Sequence, residues 1–211
     1  MKTEDLIRLL AEDTPVRRRL GRSLALALGA GIVASAVLLL ATVGLRSNLD
    51  QVIGTVRVVF KISLTLALAA TAFGLVARIG RPGASTRGFA LGLAGLVLLV
   101  GLAVASELFV LPSQAWATEL IGHHAAFCLQ FIPTLSLVPF VALMAALRTG
   151  APENPGRAGA AVGLASGAIG AALYAWHCPD DSPLFVATWY TLAIAFVTAA
   201  GYAIGRRFLR W

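Results

Sequence analysis

An all-α membrane bundle is the fold this sequence predicts, on three observations. Six apolar stretches, five of them free of any charge, fill most of the 211 residues. None alternates polar and apolar residues in the manner of barrel strands. Basic residues cluster at the ends of these stretches, mostly on one side of the membrane that alternate crossing implies. A backbone in lipid must satisfy its own hydrogen bonds, which leaves helices for runs of this kind. The expectation is a polytopic bundle of six transmembrane helices with both termini cytoplasmic.

The N-terminal segment, residues 1–22, comes first. Thr3-Glu-Asp-Leu-Ile-Arg-Leu-Leu-Ala-Glu-Asp13 reads as a short amphipathic helix. Thr3 can cap it, and Glu4 and Asp5 suit the positive end of the helix dipole. Leu6, Ile7 and Leu10 share one face. A helix this short needs a surface to lie on. Its acidic residues are unfavourable against anionic lipid, which favours a protein partner over the bilayer. A disordered leader that merely supplies positive charge is the alternative. Arg17, Arg18 and Arg19 mark the approach to the membrane and serve as its anchor.

A bilayer-crossing helix takes roughly 20 mainly apolar residues. The transmembrane domain, residues 23–205, holds candidate spans at 23–45, 52–77, 88–106, 125–147, 158–176 and 184–205. The second carries Arg57 and Lys61 near its start, and both are expected to snorkel to the interface. The first span reads as a retained helix, because 22 residues of both charge signs precede it. Residues 206–211 form a short tail.

Positive charge orients the bundle. Fourteen of the 17 basic residues fall before the first span, between spans two and three, between four and five, or after six. Only Arg46, Arg57 and Lys61 fall on the other side. This puts both termini in the cytoplasm. The same topology accounts for the net charge of +7, with no nucleic acid required.

Small residues and prolines qualify the spans. Gly159, Gly163 and Gly167 recur at four-residue spacing, as do Gly88 with Gly92 and Gly201 with Gly205. That spacing lets helix backbones approach closely, within the chain or across a homodimer contact. Pro133 and Pro139 should kink span four and free carbonyls near the kink.

On the outer side, Ser113 is a candidate N-cap for a short helix within 112–126, with Trp116 as an interface anchor. The only cysteines are Cys128, opening span four, and Cys178, closing span five. An antiparallel pair of spans brings them to one membrane face. The residues leave three readings open: inert buried thiols, a structural disulfide, or a reactive or metal-sensing pair. His123, His124, His177 and Asp180 lie on the same side and are candidate metal co-ligands. Thiolate with imidazole and carboxylate suits zinc, cadmium or copper. No C-x-x-C or H-x-x-x-H spacing tightens that set.

These residues resemble a known family. The opening Met-Lys-Thr-Glu-Asp-Leu-Ile-Arg-Leu-Leu, the six spans, Cys128 at the head of span four and the inner loop Arg148 to Pro155 are similar to the NrsF-type anti-sigma factors. So is the string His177-Cys-Pro-Asp-Asp-Ser-Pro-Leu-Phe-Val-Ala-Thr-Trp189-Tyr190. The resemblance covers nearly the whole chain. It implies a bacterial inner-membrane protein that holds an extracytoplasmic-function sigma factor at the cytoplasmic face. It implies too that Cys128 and Cys178 answer heavy-metal or oxidative stress and release that factor. The docking residues are then Glu4, Asp5, Leu6, Ile7 and Leu10. No cofactor is required, and a zinc- or cadmium-type ion at Cys128 and Cys178 would be a signal. The expected partners are the sigma factor and the lipid bilayer, with a homodimer as an option and no direct nucleic acid. The reading is not enzymatic. A membrane thiol–disulfide oxidoreductase using a lipid quinone is the alternative, opposed by the lack of a second cysteine pair. A small transporter ranks third, since mid-depth charges and paired inverted repeats are missing.

Overall fold

The computed structural model describes residues 3–5, 7 and 20–210, and among these every regular element is helical. Thr3, Glu4, Asp5 and Ile7 are helical and exposed. Leu6, Leu10, Arg17, Arg18 and Arg19 lie outside the described residues. Seven helices then follow. They are α1 (Leu20–Thr42), α2 (Val56–Ile79), α3 (Arg87–Val110), α4 (Ser113–Ile121), α5 (Ala125–Leu147), α6 (Pro155–Tyr174) and α7 (Pro183–Phe208). A single turn, Leu49–Val52, bridges α1 and α2. Among the described residues, six helical stretches are long and apolar enough to cross a membrane: α1, α2, α3, α4 running on into α5, α6, and α7.

Local sequence sets the helix starts. Asn154 caps α6 by accepting the Arg157 N–H at 2.9 Å, with Pro155 in the first helical position. Ser182 and Pro183 repeat the device at α7. Ser113 does not cap α4. The cap position belongs to Pro112, and Ser113 opens the helix itself. α4 ends at Gly122, whose φ of +60° is open to glycine.

The helix α6 is the hub. It is the most buried span and packs against α2, α5 and α7, while α3 lies at the edge against α2 and the start of α7. Its small residues make this possible. A Cβ at Gly159 would meet the Gly201 carbonyl oxygen at 2.2 Å, and one at Gly163 would meet that of Val197 at 2.4 Å. Gly201 and Gly205 face back onto Gly159, Gly163 and Pro155 at equally short range. For Gly159, Gly163, Gly201 and Gly205 the four-residue spacing therefore serves packing inside the chain, whereas Gly88 faces open space.

The proline prediction resolves in detail. α5 runs unbroken through Pro133 and Pro139. Pro139 has no N–H for the Leu135 carbonyl, and the Ser35 hydroxyl of α1 donates to that oxygen at 2.6 Å. Pro139 also packs on Gly31, where a Cβ would lie 2.7 Å from its Cα. So the proline fixes the contact between α1 and α5.

The core divides along the bundle axis. At one end, which also holds Leu20 and Leu209, Leu24, Val76, Leu143, Leu147 and Val162 form one cluster. The loops there are tied together: Ala151 N–H donates to the Gly80 carbonyl at 3.2 Å, and Gly83 N–H to Glu153 at 2.9 Å. At the other end Cys128, Cys178, Tyr174, Phe185 and Tyr190 form the second cluster. α6 runs through both.

Candidate functional site

The cysteine end is organised by residues 175–184, the connection between α6 and α7. Charged side chains from three other parts of the chain, and backbone N–H groups from a fourth, hold this segment. Lys61 of α2 is 1% exposed and reaches the Asp181 carboxylate; its ammonium also donates to the Cys178 carbonyl at 2.7 Å. Arg46, from the α1–α2 connection, reaches the other Asp181 oxygen at 2.6 Å, and its N–H donates to the Trp176 carbonyl. The Asp180 carboxylate accepts the His124 N–H at 2.9 Å and the His123 N–H at 3.2 Å, just before α5 begins. A carboxylate suits the positive end of a helix dipole. Glu107 of α3 accepts from Ser182 Oγ at 2.8 Å and from the Leu184 N–H at 3.0 Å, and pairs with Arg57 at 2.9 Å.

The two basic residues of α2 differ in their surroundings. Arg57 keeps 47% of its side chain exposed while holding Glu107. Lys61 does not snorkel, because a carboxylate and a backbone carbonyl meet it inside the protein. The sequence signal for this was present. A lysine in an apolar run wants an acidic partner, and Asp180-Asp181 fall on the same side. The sequence also places Arg46, Glu107 and Asp181 on this side, without saying which groups they pair with.

Cys128 and Cys178 are brought together, free and wholly buried in one cluster. Cys178 Sγ lies 3.9 Å from the Asp180 carbonyl oxygen. Burial pushes the Cys178 thiol above its ordinary range, and the nearby Lys61 ammonium works against that. Aromatic rings wall the thiols: Tyr174 and Tyr190 at 6.0 Å between centroids, Phe131 against Tyr174, and Phe185 edge-on to Tyr190.

The candidate co-ligands do not join the thiols. His123 and His124 gather on Asp180, with His124 Nδ1 at 3.2 Å, while His177 lies 3.1 Å from the Gly44 carbonyl oxygen. Among the described residues no three His, Cys, Asp or Glu side chains form a metal-ligating group. A cavity of about 510 Å³ opens over the segment, lined by Arg57, Glu119, His123, Asp180, Asp181 and Ser182, among others. Of the indole groups, Trp116 donates to the Leu111 carbonyl and Trp189 to that of Leu120, which ties α4 to α7.

What the arrangement can do follows from its parts. Two thiols on different elements share one buried apolar cluster. The segment carrying one of them is fastened to the α1–α2 connection, to α2, to α3 and to the residues just before α5 by ions and hydrogen bonds.

Comparison with known proteins now adds to this geometry. The family described as "Negative regulator of sigma F" (NrsF) matches residues 9–211. The "Anti-sigma-F factor NrsF" of Caulobacter vibrioides is 37% identical over 223 residues, with both chains fully covered. The "Probable anti-sigma-F factor NrsF" of Azospira oryzae is 32% identical over 214 residues, again with full coverage of both. No solved structure matches the chain.

Proposed function

This chain belongs to the NrsF family, the negative regulators of sigma F, and from that premise we propose that it is an inner-membrane anti-sigma factor. It sequesters an extracytoplasmic-function sigma factor at the cytoplasmic face and releases it when Cys128 and Cys178 meet a heavy metal or an oxidant. The observation that carries the reading is likeness to anti-sigma-F factors along the entire chain. The positive-inside distribution supports a cytoplasmic position for the termini, and with it a periplasmic position for the thiols.

The route from signal to release rests on α6. Joining the thiols, through a metal ion or a disulfide, draws the start of α5 toward the segment after α6. α6 is locked to α7 by interdigitated glycines, so the two respond as one body. At the far end the loops after α2 and α5 are hydrogen-bonded to each other, and a shift of α6 displaces both. A ligand acts in this way only if it binds the two arrangements unequally, and a bridge between two thiols meets that condition. Docking falls to the N-terminal segment, with Glu4, Asp5, Leu6, Ile7 and Leu10 as the contact residues.

The test is co-purification. The tagged full chain, solubilised from unstressed cells, is expected to carry a sigma factor identifiable by mass spectrometry. Deleting residues 2–13 should abolish that association while the protein still inserts in the membrane. Leu6→Asp with Leu10→Asp should weaken it by thirtyfold or more, since a large apolar anchor contributes about 2 kcal/mol. Retention unchanged by the deletion would move docking to the loops at 78–87 and 148–157. No sigma factor with the parent chain would contradict the function itself.

A further inference from the structure

Two cavities meet at Arg57. The one over residues 179–182 is lined by Arg57, Glu119, His123 and Asp180, among others. A second, of about 350 Å³, is lined by Arg57, Phe60, Ala103, Ser106 and Val110, among others. Val56 and Arg57 belong to both linings. The first is ringed by charged side chains, whereas the second is a largely apolar groove walled by α2 and α3. α2 begins at Val56 and α3 ends at Val110. The seam therefore lies where two spans leave the apolar layer, which is the level of lipid headgroups. Ala103 stands seven residues before Val110, so the groove runs roughly 10 Å down the span. Beside the seam Val56, Phe109 and Val110 are 85%, 91% and 82% exposed, a surface that hydrocarbon would cover.

The partners of Arg57 leave it room for a ligand. A guanidinium has five N–H donors. Glu107 meets it at 2.9 Å, Glu119 stands off at 3.8 Å, and 47% of the side chain stays exposed. Arginine suits phosphate, which it can grip with two N–H groups at once. Asp180 and Asp181 already hold donors of their own. Glu119, 35% exposed, is the lining carboxylate open to a cation. The matching ligand has a phosphate, an ammonium close to it and an apolar tail.

We propose that the two cavities form one site for a phospholipid of the ethanolamine type, with its phosphate on Arg57, its ammonium on Glu119 and an acyl chain in the groove beside Phe60 and Ala103. An anionic headgroup would leave Glu119 unanswered and set its own charge against the lining carboxylates. A choline headgroup has no N–H to donate to Glu119. The bound lipid touches α2, α3, α4 and residues 179–183 together, and so braces the connection that follows Cys178. The site is independent of any role for the thiols.

The experiment equilibrates the purified full-length chain in detergent with phosphatidylethanolamine, phosphatidylcholine or phosphatidylglycerol of matched acyl chains, and reads bound lipid by native mass spectrometry. The parent is expected to bind phosphatidylethanolamine about tenfold more tightly than either of the others, the worth of one charge-assisted hydrogen bond. Glu119→Gln should remove that preference. Ser106→Phe, at an exposed position on the groove, should weaken all three lipids by filling it. Arg57→Gln should weaken them too, but it strands the buried Glu107 carboxylate, so the first two variants decide. Equal binding of the three lipids by the parent, as an unselective lipid coat gives, overturns the inference. So does a preference for phosphatidylglycerol, which marks a plain anion site at Arg57. A phosphatidylethanolamine preference that survives Glu119→Gln, or binding that Ser106→Phe leaves unmoved, puts the lipid elsewhere and overturns it as well.

Discussion

Lys61 is the residue that most changes how the site is understood. Its charge is buried, and Asp181 is shared between it and Arg46. Removing one member of a buried pair strands the other, at a cost of about 3–5 kcal/mol. The two truncations therefore should not be equivalent. Asp181→Asn strands Lys61 and is expected to cost about 3 kcal/mol. Lys61→Met leaves Asp181 paired with Arg46 and should cost less. Combining them should restore part of the stability lost in Asp181→Asn, as a coupled pair requires. Thermal unfolding of the four proteins in detergent checks this, and strict additivity would refute the shared ion pair. The cysteines were legible in the sequence because they are two, at matching ends of spans. The pairing of Lys61 was not, because spacing along one chain does not say which loop folds back over a helix. The partners of His123, His124 and His177 were hidden for the same reason. Each bonds a group far away in sequence: Asp180 for the first two, Gly44 for the third.

At the scale of elements, apolar runs pointed to six spans, and six helical stretches long and apolar enough to cross a membrane are found among the described residues. The ends moved outward where polar residues continue a helix beyond the lipid-like stretch, as Glu107 does in α3. The cap of α4 moved because proline fixes an extended Pro112 ahead of Ser113. What spacing could not reveal was the partner of each glycine. Gly159 faces Gly201, whereas Gly95 faces open space. Alanine normally suits a helix better than glycine by about 1 kcal/mol. Gly95→Ala is therefore expected to be neutral or mildly stabilising. Gly159→Ala must push backbone away from backbone, and overpacking of that kind costs about 1–3 kcal/mol. Thermal midpoints compare the two, and a Gly159→Ala protein as stable as the parent would show that α6 and α7 are not locked together. That would also remove the rigid body on which transmission relies.

For the whole molecule, charge and hydropathy made the bundle legible, because a membrane imposes its rules on every span at once. The hub position of α6 was not legible, although its composition is suggestive: a span so rich in glycine and alanine covers little lipid-facing surface and fits where three neighbours crowd it. On the proposed function, two thiols at one end of this bundle, acting as a unit, control retention of a sigma factor at the far side. The most direct measurement is sigma factor bound to membranes before and after cadmium or an oxidant, in the parent, Cys128→Ser, Cys178→Ser and the double variant. All four should hold the factor without stress. Only the parent should release it, with each single variant as unresponsive as the double, because a bridge needs both thiols. Release from either single variant at the parent's level would contradict the account.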